Sequence, residues 1–285
     1  MFYYIIYRIG QFIALSFPRR IGYKIAIFFS DLHYLFAFKD RRAVRDNLKV
    51  VFPHKSDREI CRLRLAMFRN FSKHLVDFFR FSKIEREFIE KNIKIENQQY
   101  LDEALKKKKG VITLTAHMGN WELGGAVIGT LGYPFWVVAL AHKHKPVDNF
   151  FNRQRLSKGV HVMPLGKSGR GCLKVLKENK ILGLVGDRDF NESGVIVDFF
   201  GKPTIFPEGP AVFSLRFGAV ILPGFMVRNK DDNFTFRFEK PIEFTPSGNS
   251  EEDTKKLVST YIKVFEAYVR KYPDQWYMFR RFWLQ

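Results

Sequence analysis

His117 and Glu122, five residues apart in the segment TAHMGNWELGG, are the pair in this sequence best suited to moving a proton. Imidazole accepts protons near neutral pH, and a neighbouring carboxylate fixes its tautomer and stabilises the imidazolium. Five residues turn through about 140° of a continuous helix, so the two side chains could not share one helical face. The spacing works if the strand VITLTA ends at His117, Met118-Gly119 makes a tight turn and Asn120 caps a helix with Glu122 in its first turn. That geometry places the pair at the C-terminal edge of a sheet, where open α/β folds bind ligands. The segment holds no nucleophilic Ser or Cys. The base would therefore activate an external hydroxyl, with helix N-terminal amides near the developing oxyanion. His-x4-Glu alone is a common string. A satisfied strand-end histidine beside a dipole-complementing acid accounts for it equally well.

The rest of the chain supplies elements able to position such a pair. From about residue 96, the β-rich runs VITLTA, WVVALA, VHVMPL, ILGLVG, VIVDFF, AVILPGFMVR and NFTFRFE alternate with helical stretches. This pattern predicts an α/β fold: a mixed, largely parallel sheet flanked by helices, with a final helix from about Glu251 to Tyr272. Residues 1–95 read as helical throughout and 96–285 as the α/β domain. Ser56 and Glu59 form a capping box that opens a long helix. Its apolar stripe, Ile60, Leu63, Met67, Phe71, Leu75 and Phe78, reads as a face packed on the rest of the protein.

The chain has 285 residues, a net charge of +19, 46% hydrophobic residues, and 31 Phe against 4 Trp. That hydrophobic share excludes disorder as the dominant state. The charge suits a polyanionic partner, and its coupling with Phe and Tyr favours an anionic membrane surface. Zinc spacing, an RNP motif and a recognition-helix signature are all missing, which argues against nucleic acid. Cys61 and Cys172 make no disulfide framework, which fits a reducing, cytoplasm-facing location. MFYYIIYRIGQFIALSF lacks a signal-peptide cleavage site and is shorter than the roughly 20 apolar residues a spanning helix needs. It and Ile21 to Phe38 read as interfacial helices on one leaflet, with a buried helical hairpin or one tilted span as alternatives. Lys106 to Lys109 read as a solvated helix end or as a contact with anionic lipid. The tail QWYMFRRFW suits a membrane interface, a rim around the active site, or packing against the core.

Other segments carry weaker signals. GKSGRG before a helix is a basic loop whose amides and Arg170 could hold an anion, or an ordinary αβ loop. Asp187 and Asp189 end the strand ILGLVG, at the same edge as His117 if the sheet is parallel. They would serve either loop hydrogen bonds or substrate contact. Glu208 opens the helix PEGPAVFSLRFGA, where an acid favours the dipole. His142, His144 and His161 have no carboxylate or Cys at ligand spacing, so no metal and no cofactor is expected.

Several segments, in order, carry a likeness across almost the whole chain: RRAVRDNLKVVFP, AHMGNWELGG, ILGLVGDRDFNESGVIVDFFGKP, FPEGPAVFSLRFGAVILPGFMVR and PDQWYMFRRFW. With these the chain resembles the lipid A biosynthesis acyltransferases, of the lauroyl/myristoyl type within the lysophospholipid acyltransferase group. The resemblance implies that His117 is the general base and Glu122 its partner. It implies substrate positioning by Asp187 and Arg188 and a role for Glu208 and Gly209 in the Pro-Glu-Gly block. It also implies acyl carrier protein or acyl-CoA as donor, a membrane glycolipid such as a lipid A precursor as acceptor, and the cytoplasmic face of an inner membrane. A lysophospholipid or aminolipid acceptor is the alternative. Where glycerolphosphate acyltransferases usually read Glu-Gly-Thr-Arg, Pro210 and Ala211 follow Glu208-Gly209 here. Headgroup phosphates would then fall to other cations, such as Arg155, Lys167 or Arg170, and Asn120 would lie close to the substrate.

Overall fold

The computed structural model describes residues 2–166, 168–189 and 194–284. Four helices come first: α1 (Phe2–Ser16), α2 (Arg19–Phe36), α3 (Phe38–Val51) and α4 (Asp57–Phe79). Next come α5 (Arg86–Asn92), β1 (Ile93–Glu96), α6 (Gln99–Lys106), β2 (Val111–Thr115), α7 (Trp121–Thr130) and β3 (Phe135–Ala139). The middle of the chain forms α8 (Lys145–Leu156), β4 (Val160–Pro164), α9 (Gly169–Lys177), β5 (Ile181–Val185), β6 (Val195–Phe199) and β7 (Lys202–Phe206). It closes with α10 (Gly209–Phe217), β8 (Val220–Arg228), β9 (Phe234–Phe238) and α11 (Ser250–Lys271).

Seven strands form one sheet in the order β1-β9-β8-β2-β5-β3-β4, parallel except between β8 and β9. The expected mixed, largely parallel sheet flanked by helices is therefore present. The expected division at residue 95 falls inside β1, which pairs with β9 and so joins the helical region to the sheet. Strand alternation sends side chains to two cores. Ile112, Leu114, Ile221 and Phe225 meet Tyr261 and Phe265 of α11. On the opposite face Val111, Leu222 and Met226 meet α7 and Phe78 and Phe79 of α4. Two short strands, β6 and β7, form a separate antiparallel hairpin.

The capping box forms as expected: Glu59 N donates to Ser56 Oγ at 3.3 Å and Ser56 N to Glu59 Oε2 at 2.9 Å. Side chains dock α1 and α2 on α4. Arg69 makes a two-pronged pair with Asp31 at 2.7 Å on each prong, and Arg80 donates to the carbonyls of Ala14 and Phe17. Among the described residues no helix is long and apolar enough to cross a membrane. The outer faces of α1 and α2 leave Phe2, Phe12, Phe28 and Phe36 each about two-thirds or more exposed.

Beneath these helices lies a buried polar cluster. The Asp77 carboxylate of α4 accepts from Arg228 Nη2 at 2.5 Å and Asn120 Nδ2 at 2.8 Å, and also from the Tyr23 hydroxyl. Arg228 also donates to Tyr23 at 2.9 Å. Deleting one partner of a buried ion pair leaves the other charge uncompensated. Asp77→Ala should therefore destabilise the protein by about 3–5 kcal/mol. Thermal unfolding checks this, and a melting temperature equal to that of the parent would rule out the cluster as a clamp.

Candidate active site

The strand–turn–helix expected around His117 is present. β2 ends at Thr115, and Gly119 turns the chain with φ +59. A Cβ at Gly119 would stand 2.0 Å from the Met226 carbonyl oxygen, so only glycine fits. The side chain of Asn120 accepts from Leu123 N at 3.2 Å and caps α7. The C-terminal segment crosses beside this turn. Gly119 N donates to Gln275 O and Tyr277 N to His117 O, each at 2.8 Å. Trp276, Tyr277 and Met278 are buried, so this part of the tail packs into the protein beside the site.

Glu122 is not the hydrogen-bonded partner of His117. Nδ1 of His117 lies 2.5 Å from Oδ1 of Asp187, and Oδ2 accepts from His117 N at 3.0 Å and Trp276 Nε1 at 3.2 Å. The reason lies in the sheet. β2 and β5 are adjacent and parallel, with Thr115 level with Val185, so two residues further on His117 meets Asp187. Burial pushes the Asp187 carboxyl up, but His117, with its hydrogen bonds, and Arg188 outweigh this and hold it below the usual carboxylate range. With Nδ1–H donating to an ionised carboxylate, Nε2 carries the lone pair.

Glu122 turns instead to Arg155 of α8, which donates from Nη2 to Oε1 at 2.6 Å and from Nε to Oε2 at 3.0 Å. Burial pushes the Glu122 carboxyl up. The Arg155 charge and its hydrogen bonds more than offset this, so it ionises below its ordinary range. Arg155 is consumed by this pair and is not a free cation for a headgroup phosphate.

These groups line a cavity of about 560 Å³ between the sheet and α4, α7 and α8. His117, Glu122, Arg155, Arg188 and Gly209 reach it, while its deeper walls are apolar: Ile128, Phe135, Val160, Phe236 and Phe238. Arg188 donates to the Tyr277 carbonyl, and its buried Nε has no partner among the described residues. Asn120 is buried beneath, with its side chain committed to the cap and to Asp77. Arg170 and Glu208 are exposed and are not among the lining residues, and Lys167 lies outside the described residues.

His74 also lines the cavity and escaped the sequence reading. It is 3% exposed and stacks on Trp121 at 4.3 Å, with an interplanar angle of 25°. Burial pushes its pKa down to about 4, so the ring stays neutral. The available signal was its place in the apolar stripe of α4, three residues after Phe71 and four before Phe78. Asp187 offered a clearer one: it stands as far beyond β5 as His117 stands beyond β2.

The arrangement can take a proton from a hydroxyl beside an apolar slot. Comparison with known proteins agrees with that chemistry. The model of the family described as bacterial lipid A biosynthesis acyltransferase matches residues 1–285. A phosphatidylinositol mannoside acyltransferase of Mycolicibacterium smegmatis is 28% identical over 223 residues, covering 77% of this chain and 71% of the relative. One from Mycobacterium tuberculosis is 28% identical over 228 residues, covering 78% and 70%. A lipid A biosynthesis palmitoleoyltransferase of Escherichia coli is 25% identical over 248 residues, covering 84% and 77%. The chain belongs to the bacterial lipid A biosynthesis acyltransferase family, and it is an acyltransferase.

Proposed function

We propose that this acyltransferase moves a fatty acyl group from an acyl thioester, borne by acyl carrier protein or CoA, to a hydroxyl of a membrane glycolipid. The observation that carries this reading is the His117 imidazole, held by the buried Asp187, beside a cavity whose depths are apolar. An aliphatic chain fits those depths and would place its thioester carbonyl at the polar end.

Nε2 of His117 takes the proton of the acceptor hydroxyl as its oxygen attacks the thioester carbonyl carbon. The carbonyl oxygen becomes an oxyanion, and the tetrahedral centre then collapses, breaking the C–S bond. The departing thiolate takes the proton from the imidazolium. Asp187 stabilises that imidazolium through Nδ1, and Glu122 adds negative charge at longer range. The Arg188 guanidinium, with its unpartnered Nε, serves the oxyanion together with the first-turn amides of α7.

The names of the relatives point to a glycolipid, phosphatidylinositol mannoside in one and lipid A biosynthesis in the other. A lipid A precursor is the acceptor we favour, from the family match. The exposed rings of α1 and α2 and the positive charge support peripheral attachment to an anionic membrane surface, and the family match favours the cytoplasmic face of the inner membrane. The same charge suits an acidic acyl carrier protein.

Three outcomes follow. His117→Ala and Asp187→Asn should each lower kcat about 10²- to 10⁴-fold in thioester-dependent acyl transfer. Near-normal turnover by both would reject the pair. Mass spectrometry of lipids from cells lacking the protein should find lipid A one acyl chain short. Intact lipid A with another glycolipid under-acylated moves the acceptor assignment to that lipid. The third concerns pH. The lowered Glu122 carboxyl contributes stability above the ordinary carboxylate pKa of about 4.3, and this is lost as pH falls through its depressed value. Glu122→Gln should thus be less stable at pH 7 yet lose less on acidification, as thermal melts across pH 3–7 would register. An unchanged acid slope would mean that the Arg155 pair does not set it.

A further inference from the structure

A second cavity, of about 530 Å³, lies between α1, α2 and α4, outside the site described above. Its walls are almost wholly apolar, with Ile13, Ala14, Ile25, Ala26, Val76 and Phe79 among them. Four polar side chains, Ser30, His33, Asp40 and Ser72, also reach it. A surface of this make-up favours hydrocarbon over a sugar or a phosphate. At the roughly 30 Å³ that a group the size of water or methylene occupies, it has room for on the order of ten or more carbons.

Two features identify what fills it. Phe71 and Leu75 line both cavities, so one layer of side chains separates this space from the one that His117 faces. Phe29, also part of the lining, is 56% exposed, and Phe28, Leu32 and Phe36 stand beside it on the outer side of α2. The cavity thus reaches the exposed apolar surface on one side and abuts the reaction cavity on the other.

We propose that this second cavity holds an acyl chain already carried by the lipid acceptor. Phosphatidylinositol mannoside, the lipid in the names of two of the relatives, already carries acyl chains on its phosphatidyl group, and the acceptor proposed above is a lipid of the same kind. The cavity beside His117 is taken by the incoming chain, and a resident chain between α1, α2 and α4 would anchor the acceptor with its headgroup over the catalytic base. This rests on the acyl-transfer reading above for the identity of the lipid, and on the two cavities for the placement.

The test uses the full-length protein in phosphatidylglycerol vesicles doped with a glucosyl diacylglycerol that carries a diazirine in one acyl chain. Photolysis followed by peptide mass spectrometry should label Phe68, Val76 or Phe79 of α4, which line the second cavity and not the first, and the facing sides of α1 and α2. Ala26→Trp, and independently Ile13→Trp from the other wall, should remove the α4 label while leaving that on the outer face of α2. In transfer assays both variants should raise the KM for the lipid acceptor, relative to that for the acyl donor, on the order of tenfold. Label confined to the outer face of α2 or to the cavity beside His117, or equal changes in both KM values, overturns the proposal. Labelling of α4 without transfer to any glycolipid would keep the chain site and reject the acyl-transfer reading. Transfer without such labelling rejects the chain site alone.

Discussion

The Asp77 carboxylate is the point on which the elements around the site converge. Buried on α4, it receives Tyr23 from α2, Arg228 from the end of β8 and Asn120 from the start of α7. A buried charge of this kind survives only with its partners in place. Tyr23, Arg228 and Asn120 are therefore held where Asp77 needs them. The turn that presents His117 is fixed as a result, because Asn120 is both a ligand of Asp77 and the cap of the helix that follows.

Around that clamp two carboxylates divide the electrostatic work. Asp187 contacts the imidazole directly and fixes its tautomer, whereas Glu122 is neutralised by Arg155 and acts at a distance. The division follows from layer geometry. β5 lies beside β2 within the sheet, so Asp187, two residues beyond its end, reaches the imidazole, whereas α8 runs past the first turn of α7 and captures Glu122. Arg188, next in sequence to Asp187, is brought to the same cavity by the same strand end.

The fold was readable where sequence period and burial agree. The runs behind β2, β5 and β8 are buried on both faces and appear as continuous apolar stretches. β1 and β7 were missed because IKIE and KPTIF are short and carry charge or proline, and it is tertiary pairing that makes them strands. The turn and cap at Gly119 and Asn120 were legible because local chemistry dictates them. The partner of His117 was not, because adjacency of β2 and β5 is a property of strand order, which no local pattern encodes. Arg155 was expected as a free cation for a similar reason: its counter-charge lies on a different helix, 33 residues away in sequence.

The crossing of the C-terminal segment through the site has a consequence for biosynthesis. Met118 bridges to Trp276, and Trp276 also donates to Asp187. On the ribosome, the sheet strands, His117 and Asp187 all emerge before the residues that lock them together. A nascent chain can thus build most of its α/β layer while its proton-transfer pair still lacks the indole that covers it. Completion of the site waits on the segment around Trp276, which leaves the ribosome after every strand of the sheet.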